Sequence, residues 1–286
     1  MTASATIKFV YLVLKAVPSA ASLPINLRDD WLAIPDPPRR NRTMLSKPRL
    51  IACFLCLLPI FGYAQSDSYA LQRILQRYTE AYGGFRDADA LSSLSVEGTI
   101  EQNGQSFKFL MRKKRPFSMR YRLSNDSNSV ISGYNGSQAW MRVETNGDVS
   151  INSLDSQARR VLREQAHFDS PLFRHLEKRE NKIELVERTT LEDRSVLVVE
   201  VKELGSDASR YYLDAVTAHV VRVDQLDGDG GIRSQTLYRN YDEVEGFPFA
   251  YEIETRVGDK SVSLAKVNTI EVNPGLLSFY FEKPRR

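Results

Sequence analysis

The side chains from which chemistry would have to start are few: three histidines, two cysteines and a dense run of arginine and lysine. His167, Asp169 and His175 lie close together, and two imidazoles with a carboxylate are a plausible metal-ligand set by type. Pro171 falls between the two imidazoles, and they are not at i, i+4 of one helix, so shared ligation would need the chain to fold back. Asp224, Asp227 and Asp229 have the look of a calcium loop, but its third spaced ligand and terminal glutamate are missing. Asp227-Gly228-Asp229-Gly230-Gly231 reads instead as a Gly-rich hairpin turn. No Ser-His-Asp order, G-x-S-x-G, H-E-x-x-H or Gly-rich phosphate loop is present. The sequence therefore assigns no catalytic residue, no metal and no cofactor, and a hydrolase would need a carboxylate pair that no motif marks.

The densest positive patch is Arg112, Lys113, Lys114 and Arg115 with Arg120 and Arg122. It reads as the solvated side of a hairpin, or as a face for anionic headgroups or an acidic partner. Apolar side chains are interleaved with it. Phe107, Phe109 and Met111 alternate with Lys108, Leu110 and Arg112, and Phe117, Met119, Tyr121 and Leu123 alternate with Ser118, Arg120 and Arg122. Spacing leaves two readings open for this aromatic and methionine face: an ordinary core under a helix, or the lining of a cavity for an acyl chain. On the second reading the lining is Leu94, Val96, Phe107, Phe109, Met111, Phe117, Met119, Tyr121 and Trp140.

Residues 67–83 place Leu71, Ile74, Leu75 and Tyr78 at helical spacing, with Asp67 as N-cap and Gly83-Gly84 as a stop. Beyond this helix the chain alternates with period 2, as antiparallel strands with one buried face do. Leu94, Val96, Gly98 and Ile100 share a face, and Asn103-Gly104 marks a tight hairpin to the next strand. Further strand candidates run from Ser129–Tyr134 to Ser261–Val272, separated by turn signals such as Asn146-Gly147 and Gly258-Asp259. Residues 154–177 interrupt them: Leu154, Ala158, Val161 and Leu162 have helical spacing, and Pro171 breaks that helix before a short turn over Leu172–Leu176. The sum is a mainly β (α+β) domain over residues 65–286. It is a single curled antiparallel sheet or half-barrel of about ten or eleven strands, with an N-terminal helix and an internal helical lid.

Charge and cysteine usage separate this domain from the N-terminal stretch before it. The chain carries 39 Lys+Arg and 36 Asp+Glu, yet residues 65–286 hold 31 basic and 33 acidic groups, so the basic surplus belongs to that stretch. A nucleic-acid-binding domain is not expected from that balance. Both cysteines, Cys53 and Cys56, lie in the apolar run Leu50–Phe61, which excludes a disulfide scaffold in the folded body. Residues 44–64 pair Lys47 and Arg49 with that run and with Gly62-Tyr63-Ala64, the pattern of a cleaved Sec signal peptide leading to the periplasm. Cleavage would leave no transmembrane segment. Residues 1–43 are then expected to be a non-native extension, with Met44 as the initiator.

In order, the motifs of the mature chain resemble those of the outer-membrane lipoprotein-sorting family, the LolA-like periplasmic carriers. Tyr82-Gly83-Gly84 followed by Leu91–Thr99 looks like that family's first helix and strand. Arg115-Pro116-Phe117-Ser118-Met119-Arg120 resembles its third-strand start, and Tyr134–Trp140 its Asp-Gly hairpin. Tyr212–Arg222 and Tyr241–Pro248 are similar to two later hairpins, the second with one residue fewer before the proline. The resemblance covers nearly all of residues 69–284. It implies a half-barrel closed by a helical lid over an apolar cavity, without catalytic residues, carrying lipid-modified proteins or other amphipathic cargo. It also implies membrane-bound donor and acceptor proteins as partners, and places Arg115 at the cavity mouth as the lid latch. The alternative is an envelope sensor or interaction module of the same fold that binds a protein without transporting anything.

Overall fold

The computed structural model describes residues 63–82, 90–178, 181–203 and 206–284. The expected extension 1–43 and the expected signal peptide, apart from Tyr63 and Ala64, lie outside the described residues, as does the Gly83-Gly84 stop. Helix α1 spans Tyr63–Ala81. Six strands come after it, β1 (Ser93–Gln102), β2 (Gln105–Lys114), β3 (Ser118–Ser124), β4 (Asn128–Asn135), β5 (Ala139–Thr145) and β6 (Asp148–Ser153). Two helices come next, α2 (Ser156–Ala166) and α3 (Pro171–Lys178). The chain continues through β7 (Lys182–Leu191), β8 (Arg194–Lys202), β9 (Ser209–Asp214), β10 (Val220–Leu226), β11 (Ile232–Val244), β12 (Phe247–Val257) and β13 (Lys260–Val272). A 3-10 turn, Ser278–Phe281, closes the described chain.

All thirteen strands form one antiparallel sheet in the order β6-β5-β4-β3-β2-β1-β13-β12-β11-β10-β9-β8-β7, open between β6 and β7. Every neighbour is joined by a hairpin except β1 and β13, whose pairing stitches two meanders into one sheet. The link from β6 to β7 runs between the two edge strands, so α2 and α3 cross the concave face. The turns obey residue chemistry: Asn103 and Gly104 both take positive φ, 50° and 76°, as a two-residue primed hairpin requires. The strand count exceeds the expected ten or eleven. β6, Asp-Val-Ser-Ile-Asn-Ser, is a six-residue edge strand whose alternation rests on only two apolar residues, Val149 and Ile151, with Val149 exposed, so its signal is short and weak. α2 stops at Ala166 with His167 as its C-cap, short of Pro171, and Pro171 itself opens an eight-residue helix rather than a turn, because a proline at the first helical position loses no hydrogen bond.

Register assembles the concave face in rows. Ile270, Val96, Met111, Tyr121, Ser132 and Met141 are successive cross-strand partners. A second row runs Gly98, Phe109, Leu123, Val130 and Val143, and a third runs Leu94, Lys113, Met119, Tyr134 and Ala139. Across the seam, Ile100 pairs with Ala265, Ala265 with Ile253 and Ile253 with Tyr238. These side chains form one apolar cluster with Ile74, Leu75 and Tyr78 of α1, Leu162 of α2, and Leu172 and Phe173 of α3. Asp155 caps α2 by accepting from Ala158 N at 2.7 Å, and Ser170 caps α3 by accepting from Phe173 N at 3.1 Å.

The convex face is closed differently. Trp140 Nε1 donates to Phe281 O at 2.9 Å, and the indole lies over Gly133, where a Cβ would sit 2.3 Å from the ring. On the concave side the equivalent close approach is Gly98, next to a β1 bulge. A Cβ there would lie 2.1 Å from Lys266 O on β13 and 2.7 Å from the Phe109 ring. Both obstacles are fixed, one backbone and one buried ring, so Gly98→Ala must spread the β1–β13 seam. The expected loss is about 1–3 kcal/mol or more of unfolding free energy, read from the urea midpoint.

Candidate functional site

The site is the apolar concave face and the polar contacts that hold helices over it. Leu94, Val96, Phe109, Met111, Met119 and Tyr121 are all buried on that face, and Phe107 packs half-buried at its margin. The Phe109 and Tyr121 rings stack with centroids 6.1 Å apart. Phe117 stands at the rim, 39% exposed, its ring edge-on to His167 at 4.9 Å. Trp140 lies apart from this set. It is buried on the convex face, because on β5 the neighbouring Met141 takes the inward position.

The loop between α2 and α3, residues 167–170, is tied to the β2–β3 rim. Arg115 forms a bidentate pair with the Asp169 carboxylate, with Nη2 2.6 Å from Oδ1, while its Nε donates to Leu91 O at 2.9 Å. The guanidinium also lies 4.6 Å over the Phe168 ring. Lys113 is the less expected member. At 2% exposure it sits on the apolar face, and Nζ donates to His167 O at 2.7 Å. From the other side of the lid, Tyr78 on α1 shares a 2.8 Å hydrogen bond with Ser170 Oγ. Arg174 on α3 donates to His167 Nδ1 at 3.1 Å and pairs with Glu203.

The other motifs take structural positions. His175 Nδ1 lies 2.6 Å from Asn181 O. Asp227 accepts from Gly231 N at 2.7 Å and Asp229 N at 3.1 Å within its hairpin turn, and Asp224 is paired with Arg222 and Tyr212. The positive patch divides by face. Lys113 points in; Arg112 and Arg120 point out and enclose the Tyr280 ring at 4.7 and 4.5 Å, while Lys114 Nζ donates to Leu276 O at 2.8 Å. The C-terminal segment, rather than solvent or a membrane, covers much of that patch. Lys113 was findable, because continuing Phe107, Phe109, Met111 by two places reaches it. The partner of Arg115 was not, since nothing local joins residue 115 to 169.

Burial and charge set the protonation of the groups around this loop. Burial lowers Lys113 from 10.5 to about 7, against the opposing pull of Asp169. Burial, then the positive Arg174, Lys113 and Arg163, lowers His167 from 6.5 to about 4. A neutral His167 also suits the hydrogen bond it accepts from Arg174.

Comparison with solved structures places the fold. No protein-family model matches the sequence, and no curated protein sequence matches it at a significant level. A DUF1329 family protein from Desulfovibrio piger superposes with a TM-score of 0.52 at 13% identity, over 75% of this chain and 96% of its own. A domain assigned as an outer membrane lipoprotein-sorting protein from Vibrio parahaemolyticus gives 0.52 at 11% identity, over 76% and 97%. A LolA superfamily protein from Nitrosomonas europaea gives 0.51 at 12% identity, over 74% and 97%. At these identities the likeness is one of fold: the chain has the open antiparallel half-barrel that these proteins share.

The histidine gives a pH test. Between pH 6.5 and about 4 the unfolded chain takes a proton on residue 167 that the folded chain does not, so stability falls as pH drops through that window. Lys113 acts with the same sign higher up, adding stability as pH rises from about 7 towards 10.5. The melting temperature of the parent should therefore fall more steeply from pH 6.5 to 4 than that of His167→Gln. Parallel slopes would show that His167 takes up its proton in the folded chain as readily as in the unfolded one.

Proposed function

We propose that the protein is a periplasmic carrier that shelters the acyl chains of lipid-modified proteins, or similar amphipathic cargo, against the concave face of the half-barrel. The observation that carries this reading is the way the concave face is covered. Three helices lie over an apolar sheet face, and the loop joining two of them is held by polar tethers from Lys113, Arg115 and Tyr78. Such contacts are discrete and can be broken without unravelling a strand. The fold shared with a lipoprotein-sorting domain supports the reading. Among the described residues no helix is long and apolar enough to cross a membrane.

On this reading Leu94, Val96, Phe107, Phe109, Met111, Met119 and Tyr121 contact the chain, Phe117 stands at the mouth, and Arg115 is the latch. No covalent step is needed. Burying an acyl chain contributes roughly 0.8 kcal/mol per CH₂, on the order of 10 kcal/mol for a chain of ordinary length.

The test begins with organic extraction of the purified protein and mass spectrometry for acylated species, and then titration with a hydrophobic fluorophore. Phe109→Glu and Met119→Glu should each abolish fluorophore binding while keeping a cooperative melt. Loss of the melt in both, with no extracted lipid from the parent, would leave a closed core and favour an interaction module.

The latch has its own prediction. Lysine keeps the charge of Arg115 but cannot span the Asp169 carboxylate and Leu91 O together. Arg115→Lys and Arg115→Leu should both speed fluorophore uptake and release in stopped flow, by about tenfold for one lost charged hydrogen bond. Rates equal to the parent would remove Arg115 from the gate.

A further inference from the structure

One side chain on the buried side of α2 does not belong to an apolar core. Ala158, Leu162 and Ala166 are inward positions of that helix, and so is Gln165, which is 1% exposed. Neither Nε2 nor Oε1 of Gln165 has a hydrogen-bond partner among the described residues. A carboxamide offers two donors and two acceptor lone pairs, and buried ones are nearly always satisfied. Leucine or methionine would fill the same helical position without that cost.

A second group of the same kind lies on the part of the sheet that α2 covers. Ser132 on β4 is fully buried, and its Oγ likewise has no partner among the described residues. Its cross-strand neighbours, Tyr121 on β3 and Met141 on β5, both belong to the concave apolar cluster, so Ser132 points inward with them. Helix α2 packs against β3, β4 and β5. The amide and the hydroxyl therefore enter the same enclosed layer, one from the helix and one from the sheet, with apolar side chains around them.

We infer that Gln165 and Ser132 form a polar subsite for the carbonyl linkage at the head of an acyl chain, and that an amide linkage suits it better than an ester. This rests on the carrier reading and adds a specificity to it. The carbonyl oxygen of either linkage accepts from the Gln165 amide. Only an N-acyl amide also has an N–H, which points from the opposite edge of the planar group and is offered to the Ser132 oxygen. A plain hydrocarbon satisfies neither group. The subsite thus fixes the depth at which a chain sits, with its polar end under α2 and its methylenes along the Phe109 and Met111 rows.

The experiment is displacement of a bound hydrophobic fluorophore from the purified full chain by N-methyl dodecanamide, methyl dodecanoate or dodecane. The parent should prefer the amide to the ester, and the ester to dodecane. Gln165→Met should weaken the amide and the ester by about tenfold each and leave dodecane unchanged, and Ser132→Ala should weaken the amide alone. Equal effects of Gln165→Met on all three ligands, or none on any, would overturn the inference while leaving the carrier reading intact. Failure of the parent to bind the fluorophore or dodecane would overturn both. Thermal melts supply an independent reading. Removing an unsatisfied buried amide should raise the melting temperature of Gln165→Met, whereas a fall of several degrees would show that the amide already serves the ligand-free fold.

Discussion

A cation on the apolar face of the sheet constrains where the helices can lie. Lys113 continues Phe107, Phe109 and Met111 in strict alternation, so β2 turns its amine inward beside Leu94 and Met119. An amine there without a partner would cost several kcal/mol, and strand periodicity gives it no route to solvent. It reaches His167 O, and the field of Asp169 offsets part of its desolvation. Asp169 is in turn held by Arg115. The α2–α3 loop is thus positioned by the charge it must neutralise, and the helices on either side of it inherit that position. Burial first, and then the positive Arg174, Lys113 and Arg163 around it, keep His167 neutral above about pH 4.

The two faces of β2 and β3 use their cations for opposite purposes. Outward-pointing Arg112 and Arg120 enclose Tyr280, and Lys114 takes Leu276 O, so the C-terminal segment is bound across the convex side of the strands whose inner side forms the site. Trp140 and Asn135 extend this clasp through Phe281 O and Glu282. The strands of the site are therefore braced from behind by cation–π and backbone contacts.

Period-2 alternation made the strands, the inward rows and the hairpin turns readable, because each is set by neighbours within about ten residues. β6 escaped because its alternation is short and rests on Val149 and Ile151 alone, and the helical nature of Pro171–Lys178 was hidden by treating proline only as a breaker. The inward direction of Leu94, Val96, Phe109, Met111, Met119 and Tyr121 could be read from their spacing. The outward direction of Trp140 was legible by the same rule, since Ala139, Met141 and Val143 share the inward face of β5 and leave Trp140 with Arg142 on the other. Gln165 was invisible for a different reason. A glutamine in a charged helix is unremarkable in sequence, and becomes informative only when both its neighbours and its missing partners are known.

The energetics of opening separate apolar from polar contacts. Lifting α2 exposes Leu162 and uncovers its seat on β3–β5, and an aliphatic side chain of that size is worth about 1.5–3 kcal/mol when fully buried. On the proposed carrier reading, an acyl chain sliding into the same space would restore contact to both surfaces and return much of that loss. The tethers behave otherwise. Arg115–Asp169 and Lys113–His167 are directional, each charged hydrogen bond is worth about 1.5–3 kcal/mol, and no methylene replaces them. An apolar cargo therefore competes with apolar packing on nearly equal terms, and the balance between closed and loaded states falls to a handful of polar bonds at the rim. On that reading, control of the concave face would lie with residues 113, 115, 167 and 169, of which Lys113 stands on the apolar face itself and the other three at its rim.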